Sequence, residues 1–285
     1  MRTGLYLPNF GSWGDPAVMV SLAVDAEASG WDGFFIWDHI GGFDNTMVDP
    51  WVALGAVAQA TTTIRIGTTV TPVPRRRPQK LARETTTVDR LSGGRFVFGV
   101  GSGEGAPEFD DMGENTVHRE RGAMLDEALE VITKLWTGER VDHRGEHYTI
   151  EGARFVPTPV QQPRIPIWVG GIWPHTRPMR RAARWDGVMP LLRLSDGEGE
   201  PEALRACVDY ILDHRESDGP FDVVYSGVTP GDDPTRAADI VGSFADAGAT
   251  WWLEPIAPYR YDEGFSEPWN TEELRTRVLQ GPPRV

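Results

Sequence analysis

The stretch GLYLPNFGSWGDPAVMVSLAVDAEASGWDGFFIWDH, residues 4–39, contains a complete strand–helix–strand unit. An apolar segment at 4–8 predicts a strand, and Asp15-Pro16 predicts a helix start, because Asp is a preferred N-cap and Pro favours the first helical position. Apolar residues then recur at helical spacing until Gly30, which predicts the helix end. The segment 33–37 is apolar on both faces, which is typical of a parallel strand covered on both sides.

The same alternation recurs along the rest of the chain. Further strands are predicted at 64–70, 95–100, 165–169, 187–191, 221–228 and 250–256. Further helices are predicted to start at Asp49-Pro50, Pro78, Glu120, Arg177, Pro201, Asp233-Pro234 and Asn270. Residues 139–163 interrupt the alternation, and two short strands around a turn at 144–146 predict a β-hairpin there.

Eight strands alternating with eight helices predict an α/β fold with parallel strands and right-handed crossovers. Eight repeats and one extra hairpin fit a single (β/α)8 TIM barrel over residues 1–285, with a small hairpin insertion after the fourth helix. An open doubly wound sheet would need a dinucleotide fingerprint after the first strand, and residues 9–14 contain none.

The composition argues against several classes of function. The chain has 28 basic and 42 acidic residues and a net charge of −14, so we expect no nucleic-acid or membrane partner. It has no run of about 18 apolar residues and no apolar block typical of a signal peptide at its start. The single Cys207 cannot form an internal disulfide, and we therefore expect a cytoplasmic protein.

In a barrel of this kind, active sites lie in the loops that follow the carboxyl ends of the strands. The second strand runs directly into Asp38 and His39. A histidine exchanges protons near neutral pH and a neighbouring carboxylate can tune it, so both residues are candidate catalytic groups. The alternative is that Asp38 only caps local backbone and His39 is an ordinary loop residue.

The fourth strand runs into a glycine-rich segment at 99–106. Glycines allow the backbone to approach a flat ligand closely, so Gly101 and Ser102 are candidate cofactor-binding residues. Glu104 is either a solvated loop charge or a carboxylate held against a substrate. Residues 101–106 match GxGxxA, but Pro107 and several acids follow, so they do not predict a dinucleotide site.

A phosphate site is predicted after the fifth strand, at residues 170–177. Free N–H groups at a helix N-terminus and nearby guanidinium groups suit an anion. The alternative is that these arginines form only a solvated basic face of the helix. The candidate residues are Gly170, Gly171, Ile172, Thr176, Arg177, Arg180 and Arg181. A second basic run, Arg75–Arg77, is predicted on the same face of the barrel. His143 and His147 lack further ligands at metal spacing, so no metal site is predicted.

These segments, in this order and spacing, resemble the bacterial-luciferase-like flavin-dependent oxidoreductases, the luciferase-like monooxygenase family. The resemblance covers most of the chain and rests on residues 4–8, 26–32, 37–39, 91–95, 99–103 and 166–171. It implies a (β/α)8 barrel with an insertion after the fourth helix. It also implies that flavin mononucleotide (FMN) or the deazaflavin coenzyme F420 binds with its ring system across the mouth of the barrel.

The resemblance also implies roles for individual residues. Thr68, Thr69 and Val70 would back the ring with a bulged strand, and the loop with Gly171 and Ile172 would take the phosphate. His39 matches a position that serves proton transfer or substrate contact, and Glu104 matches a carboxylate that acts as an acid in some members. Residues 173–176 replace the short Ser/Thr turn expected at the phosphate, which leaves the individual phosphate ligands unassigned.

We therefore expect a flavin-dependent oxidoreductase that acts on a small organic substrate. Hydride transfer with F420 is favoured, because Asp38, His39 and Glu104 suit it and Arg75–Arg77 can meet the anionic oligoglutamate tail of that cofactor. The first alternative is an FMN-dependent monooxygenase that uses oxygen and flavin reduced by a separate flavin reductase. The second is a non-catalytic flavin-binding protein. A homodimer through an apolar helix such as the one carrying Trp51 is a further expectation.

Overall fold

The computed structural model describes residues 1–42, 44–104, 106–195, 199–261 and 263–284. Its strands are β1 (Arg2–Leu7), β2 (Gly33–Ile36), β3 (Arg65–Pro72), β4 (Phe96–Gly101), β5 (Arg140–Arg144), β6 (Thr149–Arg154), β7 (Ile167–Trp173), β8 (Gly187–Leu192), β9 (Asp222–Ser226) and β10 (Trp251–Pro255). Its α-helices are α1 (Pro16–Ala28), α2 (Pro50–Ala60), α3 (Pro78–Leu91), α4 (His118–Trp136), α5 (Thr176–Ala182), α6 (Glu200–Asp213), α7 (Pro234–Asp246) and α8 (Thr271–Leu279).

Eight of the strands close into a barrel in the order β1-β10-β9-β8-β7-β4-β3-β2, with every neighbouring pair parallel. The strands β5 and β6 form a separate antiparallel hairpin between α4 and β7. The predicted (β/α)8 barrel and its hairpin insertion after the fourth helix are thus confirmed. Because all eight barrel strands run the same way, their carboxyl ends meet at one mouth.

Aspartate caps set several of the helix starts. The carboxylate of Asp15 accepts hydrogen bonds from two N–H groups of the first turn of α1, at 2.7 and 3.2 Å. Asp49 caps α2 in the same way, with both distances 2.9 Å, and Asp233 caps α7. Each carboxylate satisfies N–H groups that have no partner inside their helix, which is why Asp-Pro located these helices in the sequence.

The interior of the barrel is filled by aromatic side chains. Phe35, Trp168 and Trp251 are buried and pack on one another with ring centroids 5.0 to 5.7 Å apart. Tyr6 packs against this cluster at the carboxyl end of β1. These rings fill the interior of the barrel below its mouth.

Most strand boundaries differ from the sequence prediction by one or two residues, and the largest difference is at the carboxyl end of β7, four residues beyond the predicted end. The strand β7 continues through Trp173, and its residues Gly170 and Gly171 pair with Met189 and Pro190 of β8. These glycines therefore belong to the strand and not to a loop after it. The strand was predicted to end before these glycines because glycine has no hydrophobic side chain and so interrupts the apolar pattern. Hydrogen bonding between strands uses only the backbone, so the strand itself continues through them.

The chain has one long helix, α4, and it is not apolar enough to cross a bilayer. Across the described ranges, no helix combines the length and the apolar character that a membrane span requires.

Candidate active site

A cavity of about 950 Å³ lies at the mouth of the barrel. Its walls come from the ends of β1, β3, β4, β7 and β8 and from the first turns of α4 and α5. Eleven candidate residues from the sequence line it together: Thr69, Val70, Gly101, Ser102, Glu104, Gly170, Gly171, Ile172, Thr176, Arg177 and Arg181. Four others, His39, Asp38, Thr68 and Arg180, lie outside this lining.

A bulge in β3 forms part of the cavity floor. The register between β3 and β4 shifts between Thr68 and Thr71, and the Thr69–Val70 peptide bond is cis. The hydroxyl of Thr68 donates to the carbonyl of Gly99 at 2.9 Å. A Cβ at Gly99 would stand 1.9 Å from the Thr68 carbonyl oxygen, so only glycine allows the bulge to lie this close to β4.

Val70 packs between Gly101 of the neighbouring strand β4 and Gly170 of β7, the strand on the far side of β4. A Cβ at Gly101 would lie 2.7 Å from Val70 Cγ2, and one at Gly170 would lie 2.9 Å from Val70 Cγ1. Both distances are shorter than normal contacts, so any larger residue would displace Val70. The two glycines and the valine therefore make a close-packed apolar floor. Beside it, the hydroxyl of Thr69 is buried and has no hydrogen-bond partner within the described residues.

Cations gather on the side of the cavity formed by α4, α5 and β8. Arg119, Arg177 and Arg193 line it and are exposed, and none of them makes an ion pair within the described ranges. Arg181 also lines the cavity, but its guanidinium is held by Asp126 at 2.6 and 2.9 Å. In a protein of net charge −14, three uncompensated arginines at one mouth favour an anionic ligand group.

The structure separates two arginines that the sequence grouped together. Arg177 lines the cavity, whereas Arg180 is directed to the outside of α5, where its Nε donates to the hydroxyl of Tyr210 at 2.9 Å. The helix α5 has only seven residues. A helix of this length has only a small dipole, so the arginine side chains are the main source of positive charge at this end of the cavity.

His39 lies at the carboxyl end of β2 and is held by a carboxylate that sequence analysis did not select. Its Nδ1 is 3.1 Å from Oε2 of Glu108, and Glu108 also accepts from the N–H of Ile40 at 2.6 Å. Arg75 lies 2.7 Å from the same carboxylate. Burial alone would raise the pKa of Glu108, but the hydrogen bonds from His39 and Ile40 and the charge of Arg75 outweigh it and lower the pKa. Ionised Glu108 can only accept, so His39 donates through Nδ1–H.

Asp38 does not contact His39 through its side chain. The buried Asp38 carboxylate accepts from Trp51 Nε1 at 3.1 Å and from Thr71 Oγ1 at 2.8 Å. It also binds Arg75 at 3.0 Å and Arg76 at 2.6 Å. Asp38 was the predicted partner of His39 because the two are adjacent in sequence, but the carboxylate that contacts His39 is that of Glu108. The expectation that Arg75 and Arg76 meet an anionic tail is also wrong in its geometry, because internal carboxylates already hold both guanidinium groups.

Tyr6 connects the cavity to the β1 side of the mouth. It lines the cavity and packs on Trp37 with a centroid distance of 5.3 Å. Burial raises the pKa of Tyr6, and the negative charge of the nearby Glu104 raises it further. The hydroxyl is thus neutral and available as a donor at physiological pH.

Arg121 is a site residue that the sequence analysis missed. It is 1 % exposed, and its guanidinium donates to the carbonyl of Glu104 at 3.2 Å and to Nδ1 of His118 at 2.8 Å. It also lies over the ring of Phe109, 4.1 Å from the centroid. One buried cation therefore ties the loop after β4 to the start of α4. The sequence did indicate that Arg121 is buried, because it lies on the apolar face of α4, four residues before Leu125.

The residues that the structure describes contain no group of three or more His, Cys, Asp or Glu side chains arranged to hold a metal ion. His143 and His147, at which the sequence predicts no metal site, lie on the hairpin. His143 Nε2 is 3.0 Å from Glu127, which also accepts from the N–H groups of His147 and Tyr148. This contact fastens the hairpin to α4.

The chain is a (β/α)8 barrel with a cavity at the carboxyl ends of its strands, and comparison with known proteins identifies its family. The model of the luciferase-like monooxygenase family matches residues 1–277, so the chain belongs to that family. The predicted resemblance is thereby confirmed.

The curated relatives align with only part of this chain, and the solved structures with the same fold have low sequence identity to it. The chain is 37 % identical over 166 residues to an F420-dependent glucose-6-phosphate dehydrogenase of Nakamurella multipartita, a match that covers 56 % of this chain and 48 % of the relative. It thus spans about half the length of the curated relatives it matches.

Two solved structures share the fold. The F420-dependent tetrahydromethanopterin reductase of Methanopyrus kandleri has a TM-score of 0.75 at 19 % identity, covering 99 % of this chain and 98 % of the other. The oxygenating constituent of the 3,6-diketocamphane monooxygenase of Pseudomonas putida, in complex with FMN, has a TM-score of 0.66 at 20 % identity, covering 80 % and 67 %.

The position of Arg121 predicts that the substitution Arg121→Met loosens the loop after β4. Removing two hydrogen bonds from a buried guanidinium costs about 1–3 kcal/mol locally, and about 1.4 kcal/mol corresponds to a tenfold change in local opening. We expect amide hydrogen exchange in peptides covering 106–117 to speed up at least about tenfold, measured by mass spectrometry. The control is Arg184→Met, because Arg184 makes only an exposed 3.5 Å pair with Glu130. Equal exchange in both variants would contradict the assignment.

Proposed function

We propose that this chain is an oxidoreductase that uses F420 to transfer hydride to or from a small organic substrate. The observation that carries the proposal is the cavity at the barrel mouth, with its apolar floor at Val70 and uncompensated arginines on one side. The F420-dependent name of the curated relatives, which align over about half of their length, supports the choice of cofactor.

The residues present fit a flavin-type cofactor. The volume of about 950 Å³ lies at the upper end of the range for small-molecule pockets and accommodates a three-ring system with a side chain. The close-packed floor made by Val70, Gly101 and Gly170 suits a flat ring, and the unpartnered hydroxyl of Thr69 offers one buried hydrogen bond beside it. When bound, F420 would supply a ring carbon that takes or gives hydride, so the redox chemistry is that of the cofactor.

The chain's own residues would bind the anionic part of the cofactor on the α4–α5 side. We assign the phosphate to the end of the cavity with Thr176 and Arg177, next to Gly171 and Ile172. Arg119 and Arg193 would meet further negative charge. Three arginines exceed what a single phosphate requires, and this favours F420, whose oligoglutamate tail adds carboxylates, over FMN.

Two residues are proposed to handle the proton that accompanies hydride transfer. Glu104 is exposed to the cavity and Arg121 fixes its backbone, while His39 is oriented by the ionised Glu108. General acid–base groups need this kind of fixed orientation. Asp38 is a positioning residue in this scheme, because it holds Arg75 and Arg76 and not the reacting groups.

The alternative is an FMN-dependent monooxygenase that reacts reduced flavin with oxygen and depends on a separate flavin reductase. Two findings support this alternative: the matching family is described as luciferase-like monooxygenase, and one of the solved structures with the same fold is a monooxygenase in complex with FMN. Oxygen uptake in the presence of FMN, NADH and a flavin reductase separates the two functions, because F420-linked hydride transfer consumes no oxygen. A chain that binds F420 but turns over no member of a broad substrate panel would instead be a flavin-binding protein.

A homodimer through α2, the helix that carries Trp51, remains a proposal, although Trp51 itself faces the interior. That side chain is buried against Phe96 and Phe98 inside the molecule. The outer face of α2 instead presents Val52, which is 71 % exposed, and the adjacent α1 presents the exposed Val24. Apolar residues on neighbouring helices support a contact between two copies through this face.

The position of the arginines predicts a large effect on cofactor binding for Arg177→Ala and a small one for Arg180→Ala. Arg177→Ala should weaken F420 binding about tenfold, which corresponds to about 1.4 kcal/mol for one charge-assisted contact. Arg180→Ala should change the dissociation constant less than about twofold, because Arg180 contacts Tyr210 on the outside of α5. Titration of ring fluorescence measures both values. An effect of Arg180→Ala as large as that of Arg177→Ala would move the anion site elsewhere.

The proposed role of His39 predicts a change in turnover and not in cofactor affinity. His39→Ala should lower kcat at least about a hundredfold, in the range expected for loss of a general acid–base group, while the Kd of F420 changes less than about twofold. The measurement follows F420 absorbance with a substrate found in a panel screen. His214→Ala is the matched control, because His214 is exposed and stacks on Tyr210 away from the cavity. Unchanged kcat in His39→Ala would contradict the role.

A further inference from the structure

His39 lies at one end of a chain of four charged side chains, Asp38, Arg75, Arg76 and Glu108, which we call the charge cluster. Nδ1 of His39 is 3.1 Å from Oε2 of Glu108, and Nη1 of Arg75 is 2.7 Å from the same oxygen. Arg75 also reaches Oδ1 of Asp38 through Nη2 at 3.0 Å, and Arg76 binds that oxygen at 2.6 Å. The charge cluster thus joins the segments that follow β2, β3 and β4.

The charge cluster is mostly shielded from water and carries no net charge. The side chains of Asp38 and Arg75 are 0 % and 2 % exposed, and those of Glu108 and Arg76 are 11 % and 17 % exposed. Charges interact more strongly over short distances where water is excluded. Because two arginines balance two carboxylates, the loss of one guanidinium would leave a negative charge in excess.

Arg75 is the residue of the charge cluster that compensates Glu108. The Glu108 carboxylate accepts hydrogen bonds from Nδ1–H of His39 and from the N–H of Ile40, the latter at 2.6 Å. Nη1 of Arg75 makes no aligned hydrogen bond within the described residues, so its contact with Glu108 is one of charge. Without that positive charge the carboxylate would draw a second proton onto the imidazole, because the imidazolium would then be the cation in contact with it.

The other described neighbours of His39 are uncharged. The N–H of His39 donates to Oδ1 of Asn9 at 3.1 Å, and the rings of Phe10 and Trp37 pack on the imidazole with centroid distances of 5.6 and 5.7 Å. Among these contacts of His39, Glu108 alone carries a charge. The charge cluster therefore acts on the imidazole through that carboxylate.

We propose that Arg75 is a positioning residue for His39, on which it acts through Glu108. By neutralising Glu108, Arg75 allows this carboxylate to hold Nδ1–H of the imidazole without drawing a second proton onto the ring. Nε2 of a neutral imidazole that is protonated at Nδ1 is an acceptor. His39 can then take the proton that leaves the substrate when hydride passes from the substrate to the cofactor, and it returns that proton in the reverse direction. This inference rests on the proposed function for the role of His39.

The test is a pH titration of the histidine ring signals by NMR, with the full chain and no cofactor. The chain has six histidines, and the signals of His39 are those missing from the spectrum of His39→Gln. Arg75→Met should raise the pH at which His39 is half protonated by about one unit, a tenfold higher proton affinity, because the cation beside Glu108 is lost. Arg75→Lys keeps the charge and should shift this pH by less than about half as much.

Arg76→Met is the matched control, because it removes the same charge from the charge cluster while the contact between Arg75 and Glu108 stays in place. It should shift the titration of His39 by less than about 0.3 unit, a twofold change in proton affinity. Glu108→Gln removes the anion next to the imidazole and should lower the same pH by about one unit. This variant remains informative if Arg75→Met does not fold.

Three results would overturn the proposal: no shift in Arg75→Met, equal shifts in Arg75→Met and Arg76→Met, or no decrease in Glu108→Gln. A shift in Arg75→Lys as large as that in Arg75→Met would overturn it as well, because the charge would then not be what matters. Failure of F420 to bind would defeat the proposed function separately, because the titration contains no cofactor.

Discussion

The close approach of three strands at Val70 is the constraint on which the site depends. Gly99 lets the bulge of β3 lie against β4, and Gly101 and Gly170 leave the space that Val70 fills. A methyl group at any of these glycines would stand 1.9 to 2.9 Å from a neighbouring atom. The floor of the cavity is therefore set by backbone packing, which side chains at the mouth cannot easily alter.

Charge pairing decides which groups at the mouth remain available to a ligand. Asp38 and Glu108 pair with Arg75 and Arg76, Asp126 pairs with Arg181, and Arg260 and Arg277 share the single carboxylate of Glu254. Burying the carboxylates of Asp38, Glu108 and Glu254 is tolerated because each accepts further hydrogen bonds. Among the described residues that line the cavity, the arginines without an ion pair are Arg119, Arg177 and Arg193, all on the side formed by α4, α5 and β8.

The sequence was a good guide where a local signal matches a local structure. Asp15 and Asp49 predicted helix starts because capping involves neighbours only two or three residues away. The glycines at 99–103 and 170–171 predicted a close approach to a ligand, and they line or support the cavity floor. The hairpin was visible because it breaks a regular alternation.

The parts of the site that the sequence missed depend on contacts between distant segments. Glu108 reaches His39 across 69 positions of the chain, and no pattern next to His39 indicates this. Asp38 lies beside His39 in sequence, but successive side chains at a strand end point to different sides, so it serves another network. Arg177 and Arg180 are three residues apart, a spacing that puts them on the same side of a helix. What separates them is a distant contact, the hydrogen bond of Arg180 to Tyr210 of α6.

A crystal structure of the full chain grown with F420 would show where the cofactor binds. We expect electron density for the three-ring system in van der Waals contact with Val70 and for the phosphate within hydrogen-bonding distance of Arg177. Density for the ring system at another surface, or for the phosphate on the side of Tyr6, would contradict the proposed site.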